Sequence, residues 1–349
     1  MNSKAHKLCN YLGKTSVKCQ DLIKNFKPEY LNTRKRIFFE KALYCHRNQK
    51  GIIRISRVGF SKSREKIKSS IISKSPFEFE NLPYFYDYSK DNPNNSTALW
   101  YVNFADPQLF GFYDGDLFAQ DEIQTLEFPL LASCMLYLDS LKDETLPSRT
   151  VVNVPTAAGS QEKFTKCCTP YLFENIPYWI SVNTSPILKD GSKGNIYGRA
   201  FSTAPEEQIK AGIKIYEPEL KANIIAMAAP DGGYGAYKDN QIAQIIETLI
   251  CSYSAAVKQT KMQKKESCII HTGNWGCGAF GGNKELMYLC QFFSASVCKV
   301  DKLVFHACDD SIIEAAMKKL DMIPEELTVE DFLSFIKAQN YIWNVSDGN

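Results

Sequence analysis

Ser267-Cys268-Ile269-Ile270-His271-Thr272-Gly273-Asn274-Trp275-Gly276-Cys277-Gly278-Ala279-Phe280-Gly281-Gly282 decides how the rest of the chain is read. The apolar run 267–270 reads as a buried strand. Five glycines fall among the twelve residues 271–282, and Asn283–Phe293 continues with helical spacing. Strand, glycine loop and helix start together offer backbone N–H groups to a phosphate. Glycines let the backbone come close and adopt positive φ. Trp275 and Phe280 add flat apolar surface of the kind a nucleotide pocket uses. On spacing alone a plain tight turn is the commoner outcome. The loop has no Gly-Lys-Ser/Thr ending. Its GxGxxG run, 276–281, has no acidic ribose binder about 20 residues on, so neither a P-loop nor dinucleotide redox chemistry is indicated.

Outward from the loop, strands and helices alternate. Ala98–Phe104, Thr150–Val154, Ala222–Met227 and Lys302–His306 read as strands. Gln120–Leu141, with Pro129 inside it, Asn240–Lys258 and Lys284–Cys298 read as helices, and Thr328 N-caps a last helix through Ala338. This alternation predicts a three-layer α/β core. Residues 1–75 read as mostly helical, for example Ser16–Phe26 and Asn32–Tyr44. Pro76, Pro83 and Pro93, with a loop at Asp91–Ser96, divide the chain into a basic, mainly helical region 1–95 and an α/β unit 96–349. Residues 155–200 are rich in turn formers and read as an excursion at a site.

The net charge of +2 hides an asymmetry: residues 1–75 hold 19 Lys/Arg against 4 Asp/Glu, and the remainder is acidic. Such a front suits nucleic acid, an acidic partner or a membrane surface. No aromatic-interleaved RNA motif or zinc finger accompanies it, so a solvated face docked on the acidic body is preferred to nucleic-acid binding. The 12 cysteines form no CxxC pair, and no zinc spacing surrounds Cys167-Cys168, which suits a structural role in a reducing compartment. The first residues have no long apolar core, and no run approaches the ~20 apolar residues of a membrane helix. A cytosolic enzyme and an effector delivered into a host cell both fit.

A second constellation lies between a strand and a helix. Asp106, Asp114, Asp116, Asp121 and Glu122 fall within 17 residues. Asp121-Glu122 opens the helix, where the dipole favours carboxylates. Helix capping alone accounts well for Asp121 and less well for the whole set. Aromatic residues at 110, 112, 113 and 118 would exclude water and raise a carboxyl pKa.

The two segments together resemble the poly(ADP-ribose) glycohydrolase family, a macrodomain with a helical accessory region. Thr272–Gly282 is similar to the family's late loop over its whole length. Gln120-Asp121-Glu122 stands where the family has Gln-Glu-Glu after three glycines, and Phe110-Gly111-Phe112 replaces those glycines. Phe104-Ala105, Pro129 and Glu325–Asp331 also resemble family positions. The resemblance implies a macrodomain-like α/β/α core with a mixed sheet, no cofactor and no metal. It implies that Glu122 gives a proton to the leaving oxygen and Asp121 holds the distal ribose. It implies ligand contacts from Gly111, Phe112 and Gln120 and from the loop residues Gly273, Asn274, Trp275, Gly276, Cys277, Gly278, Ala279 and Phe280. The family's asparagine near Asp106 is an aspartate here, and Asp106 is counted among the ligand contacts. The adenine-side tyrosine has no clear counterpart within 155–200.

The implied reaction cleaves C1″ of an ADP-ribosyl group on a protein, releasing ADP-ribose, with paired carboxylates as in glycosidases. Two phenylalanines in place of glycines narrow the route for a polymer. The added aspartates pair well with a guanidinium. The expectation is therefore mono-ADP-ribosyl hydrolysis, with arginine as one linkage and Asp114, Asp116 or Asp121 sharing the acid and orienting roles with Glu122. Poly(ADP-ribose) hydrolysis, and an ADP-ribose-binding module without turnover, remain the alternatives.

Overall fold

The computed structural model describes residues 8–59, 71–82, 85–90, 96–155, 164–307 and 309–348. The turn expected over 91–95 lies outside them. The strands are β1 (Asn10–Lys18), β2 (Ile52–Gly59), β3 (Ile71–Ser73), β4 (Glu78–Leu82), β5 (Thr97–Phe104), β6 (Val151–Pro155) and β7 (Phe164–Cys168). They continue as β8 (Tyr171–Pro177), β9 (Ile180–Val182), β10 (Ile213–Ile215), β11 (Lys221–Met227), β12 (Ser267–Gly273), β13 (Lys302–His306) and β14 (Glu326–Thr328). The helices begin with α1 (Cys19–Asn25), α2 (Thr33–His46), α3 (Gln120–Glu127), α4 (Leu130–Leu141) and α5 (Ala200–Thr203). They end with α6 (Glu206–Gly212), α7 (Asp239–Met262), α8 (Lys284–Cys298), α9 (Asp310–Asp321) and α10 (Val329–Ala338).

Eight strands form one mixed sheet in the order β1-β2-β8-β11-β5-β12-β13-β4. From β11 to β4 every pairing is parallel; from β1 to β11 every pairing is antiparallel. Side chains alternate across the sheet because a strand repeats every two residues. Trp100, Val102, Ile225 and Met227 face a core shared with α7, α8 and α10. Tyr101, Ile224 and Ala226 face a second core with α1 to α4. Helices on both faces of a mixed sheet make the three-layer α/β/α core that the sequence predicts.

Three expectations need correction. The region 1–95 is helical at α1 and α2, but β1, β2 and β4 join the central sheet, so the sheet runs across the boundary placed at residue 95. Ser16–Phe26 in particular ends β1 before it starts α1. Within 155–200, β8 is an inner strand and β7 pairs with β6 in a small separate sheet, so the segment is more than turns. Gln120–Leu141 is two helices, α3 and α4, parted at Phe128-Pro129, because proline has no N–H for an interior helix bond. Among the described residues no helix is long and apolar enough to cross a membrane.

The parallel strands β5, β11 and β12 end side by side. Their C-terminal ends deliver Phe104, Ala229 and Asn274 to one end of the sheet, the place where open α/β sheets bind ligands.

Candidate active site

A cavity of about 640 Å³ opens at those strand ends, within the roughly 300–1,000 Å³ of small-molecule sites. Asp106, Phe112, Gln120, Asp121 and Glu122 line one side, and Asn274 through Phe280 line the other. Two segments some 150 residues apart in sequence thus share one lining.

The carboxylate side is built by the start of α3. The Gln120 side chain straps the helix to β5: Oε1 accepts from the Phe104 N–H at 2.7 Å and Nε2 donates to Val102 O at 3.1 Å. Asp121 is buried, and its Oδ1 accepts from Asn103 Nδ2 at 2.9 Å. Glu122 is also buried, and its Oε2 accepts from the Ala119 N–H at 3.0 Å. Burial, reinforced by the neighbouring charge of Glu122, raises the Asp121 carboxyl. Burial likewise raises Glu122, opposed by its backbone hydrogen bonds and by the Lys35 ammonium. Asp106 is half-buried and raised by desolvation, while its Oδ1 accepts from the Gln108 N–H at 2.9 Å.

A stability consequence follows. Asp121 rises from the ordinary carboxylate range to about 8, so between about pH 4 and that value the folded chain binds more protons than the unfolded one. Its contribution is full at acid pH and is lost as pH rises through that window. Asp121→Asn keeps an acceptor for Asn103 and removes the charge. The variant should be more stable than the parent at pH 8 by at least about 1 kcal/mol, roughly 2–4 °C in Tm. Thermal melts at pH 5 and pH 8 check this; a difference independent of pH would rule out the charge as its cause.

The other side is the glycine loop. It leaves β12 at Gly273 and enters α8 through Asn283, whose side chain caps the helix by accepting from the Leu286 N–H at 3.2 Å. Among the described residues the N–H groups of Gly276, Gly278, Ala279 and Phe280 have no backbone partner, and all four residues line the cavity. Tyr288 OH fixes Asn274 Oδ1. Trp275 is not an open stacking face: its indole is wholly buried and Nε1 donates to Met227 O at 2.9 Å. The indole anchors the loop to β11 instead.

Not every expected residue reaches the cavity. Asp114, Asp116, Gly111 and Gly273 are outside its lining. Asp116 is exposed, its Oδ1 accepts from Asn32 Nδ2 at 2.8 Å, and it borders a neighbouring groove with Arg199. Phe110 stands at φ 54°, a left-handed conformation disfavoured for a phenylalanine, with its ring wholly buried.

Several lining residues carry no local signal. Tyr197 borders both this cavity and an apolar recess beside it, which Phe85, Tyr86, Tyr88 and His306 help to enclose. Asn344, Val345 and Asp347 come from the C-terminal segment. The Asn344 N–H donates to Gly281 O at 2.8 Å and its Nδ2 to Gly282 O at 3.2 Å, so this segment straps the glycine loop. Lys284 lines the cavity at the start of α8, with Nζ 2.5 Å from Asp309 Oδ2. Among the described residues no group of three or more His, Cys, Asp or Glu could hold a metal ion.

Residues 192–315 match the family model described as poly(ADP-ribose) glycohydrolase (PARG), macro domain fold. The match holds Tyr197, the glycine loop and Lys284; Asp121 and Glu122 precede it. The probable poly(ADP-ribose) glycohydrolase 2 of Arabidopsis thaliana is 26% identical over 169 residues, which cover 39% of this chain and 32% of that protein. The chain thus spans about a third of the length of the curated relative it matches. Among solved structures, the glycohydrolase of Thermomonospora curvata is 10% identical, with 82% of this chain and 99% of that chain covered at a TM-score of 0.42. The glycohydrolase of Deinococcus radiodurans in complex with ADP-ribose is 14% identical, with 74% and 97% covered at a TM-score of 0.40.

Proposed function

From its place as a PARG-like macrodomain family member and from the geometry of its cavity, we propose that the chain hydrolyses ADP-ribosyl glycosidic bonds. One observation carries the reading: a buried carboxyl pair and a glycine loop, four of whose amides have no backbone partner among the described residues, line the same cavity. Under this reading the loop holds the diphosphate and Asp121 holds the distal ribose. Water adds at C1″ while the bond to the leaving atom breaks, its electron pair going to that atom. Glu122 gives the leaving atom a proton, and a proton from the water restores Glu122. The pocket that raises Glu122 serves this chemistry, because the acid must hold its proton until the bond breaks.

The finer proposal is a mono-ADP-ribosylated protein as substrate, with arginine as the linkage. Phe112 stands half-exposed at the mouth where the family has glycine, and Asp106 faces the same space. The first narrows the route for a polymer, and the second favours a guanidinium. Asp114 and Asp116 play no part at C1″ in this arrangement. Incubation with arginine-linked mono-ADP-ribose and with poly(ADP-ribose) tests it. Release from the arginine conjugate is expected; release from the polymer alone would make the chain a poly(ADP-ribose) glycohydrolase.

A reader without turnover is the second reading, and one observation favours it. Glu122 closes the N-terminal cap of α3 through Ala119, a structural task it can serve without chemistry. ADP-ribose binding in a calorimeter with no release from any linkage would establish that reading.

A further inference from the structure

We propose that Lys35 is a positioning residue for the hydrolysis: its buried ammonium braces the 113–117 loop behind Glu122. The inference rests on Glu122 acting as the acid, and it gives a task to a helix of the basic front.

Lysine is almost never fully buried unless its charge is partnered, yet Lys35 is 0% exposed. Its Nζ donates to Leu117 O at 2.6 Å and to Tyr113 O at 3.1 Å. The ammonium lies 5.5 Å from the Phe118 ring centroid and 6.0 Å from that of Phe201, within or at the reach of a cation–π contact. One turn earlier, Asn32 caps α2 by accepting from the N–H groups of Arg34 and Lys35 at 2.9 and 3.1 Å. The same residue donates its own N–H to Asp114 O at 2.8 Å and its Nδ2 to Asp116 Oδ1 at 2.8 Å. The start of α2 therefore makes four hydrogen bonds to the stretch 113–117.

That stretch runs directly into Ala119, whose N–H holds Glu122 Oε2 at 3.0 Å. A loop displaced from Lys35 would move this donor and release the carboxyl. The charges around the ammonium add a second effect. Glu122, Asp114, Asp116 and Asp121 face Lys35, and Lys35 and Asp106 act on Glu122 from opposite signs. Burial pushes Lys35 down to about 8 against the pull of those carboxylates. While charged, it favours the ionised form of Glu122 and holds that carboxyl below where burial alone would put it.

The sign is then fixed. A general acid loses activity as pH rises through its pKa. Removing the Lys35 charge should move the alkaline limb of kcat/KM to higher pH. Lys35→Met, which keeps the apolar stem, should lower kcat by roughly 10- to 100-fold, leave KM within about twofold, and shift that limb upward. Lys35→Gln, which keeps donors for the two carbonyls, should recover part of kcat while keeping the shifted limb. A limb that stays at the parent's pH in Lys35→Met, whatever happens to kcat, overturns the proposal. If that variant does not fold, an unshifted limb in Lys35→Gln overturns it equally. A parent protein inert on every ADP-ribosyl linkage sinks the hydrolase reading itself, which an active parent with unshifted variants does not.

Discussion

Glu122→Gln is expected to lower kcat for ADP-ribosyl release by roughly 10²–10⁴-fold, the usual contribution of a positioned general acid, while ADP-ribose affinity stays within about threefold. The reasons are separable in the structure. Glutamine keeps an amide oxygen able to accept from the Ala119 N–H, so the cap of α3 survives. It keeps the shape of a side chain that is only 4% exposed. What it loses is the transferable proton. The alkaline limb assigned to Glu122 should vanish with it, because the group whose titration it reports is gone. Single-turnover release and calorimetric binding of ADP-ribose, run on the same preparation, read the two quantities independently. Undiminished release in Glu122→Gln would take the acid role from this residue and return the search to Asp121, the other buried carboxyl in the cavity.

Both halves of this site are legible in the sequence where their structure is local, and its remaining residues are not. Thr272–Gly282 was legible because its structure is local: a strand end, a turn rich in glycine and a capped helix follow one another without a break. Asp121 and Glu122 were legible for the same reason, as the first turn of α3. The parallel strands β5, β11 and β13 are legible because strands covered on both faces read as near-continuous apolar runs. By contrast β1 is an edge strand with an alternating, half-exposed pattern, and its partner β2 begins more than 30 residues after it ends. Nothing local separates its last residues, Ser16–Lys18, from the helix that follows. Asp114 and Asp116 lie close to the carboxyl pair along the chain, yet Asn32 draws Asp116 and the backbone of Asp114 away toward α2. Tyr197 and Asn344 carry no signal in the sequence for the converse reason. Each is brought in by tertiary packing, Tyr197 beside Gln120 and Asn344 against Gly281 and Gly282, and no spacing rule anticipates such neighbours.

Gly276→Ala should damage the other half of the site, and by a different route. Gly276 stands at φ +73°, and a Cβ there would lie 2.6 Å from the Ala229 Cβ and 2.9 Å from the Met287 Cε. The methionine end can swing aside, but Ala229 lies two residues beyond the end of β11 and has no side-chain freedom to yield. The conformation costs an alanine about 1–2 kcal/mol, and forced overpacking adds about 1–3 kcal/mol. Relief comes most cheaply by moving the loop away from β11, which carries the Gly278, Ala279 and Phe280 amides with it. A fall of several degrees in Tm is therefore expected together with a loss of ADP-ribose affinity of at least about tenfold, the equivalent of 1.4 kcal/mol. Binding has to be measured at a temperature where the variant is fully folded, so that the two losses are read apart. A folded Gly276→Ala protein that still binds ADP-ribose as the parent does would show that the diphosphate is not seated on this loop. The amides would then be left facing solvent, and the glycines would serve only the close approach of the turn to Ala229 and Asn344.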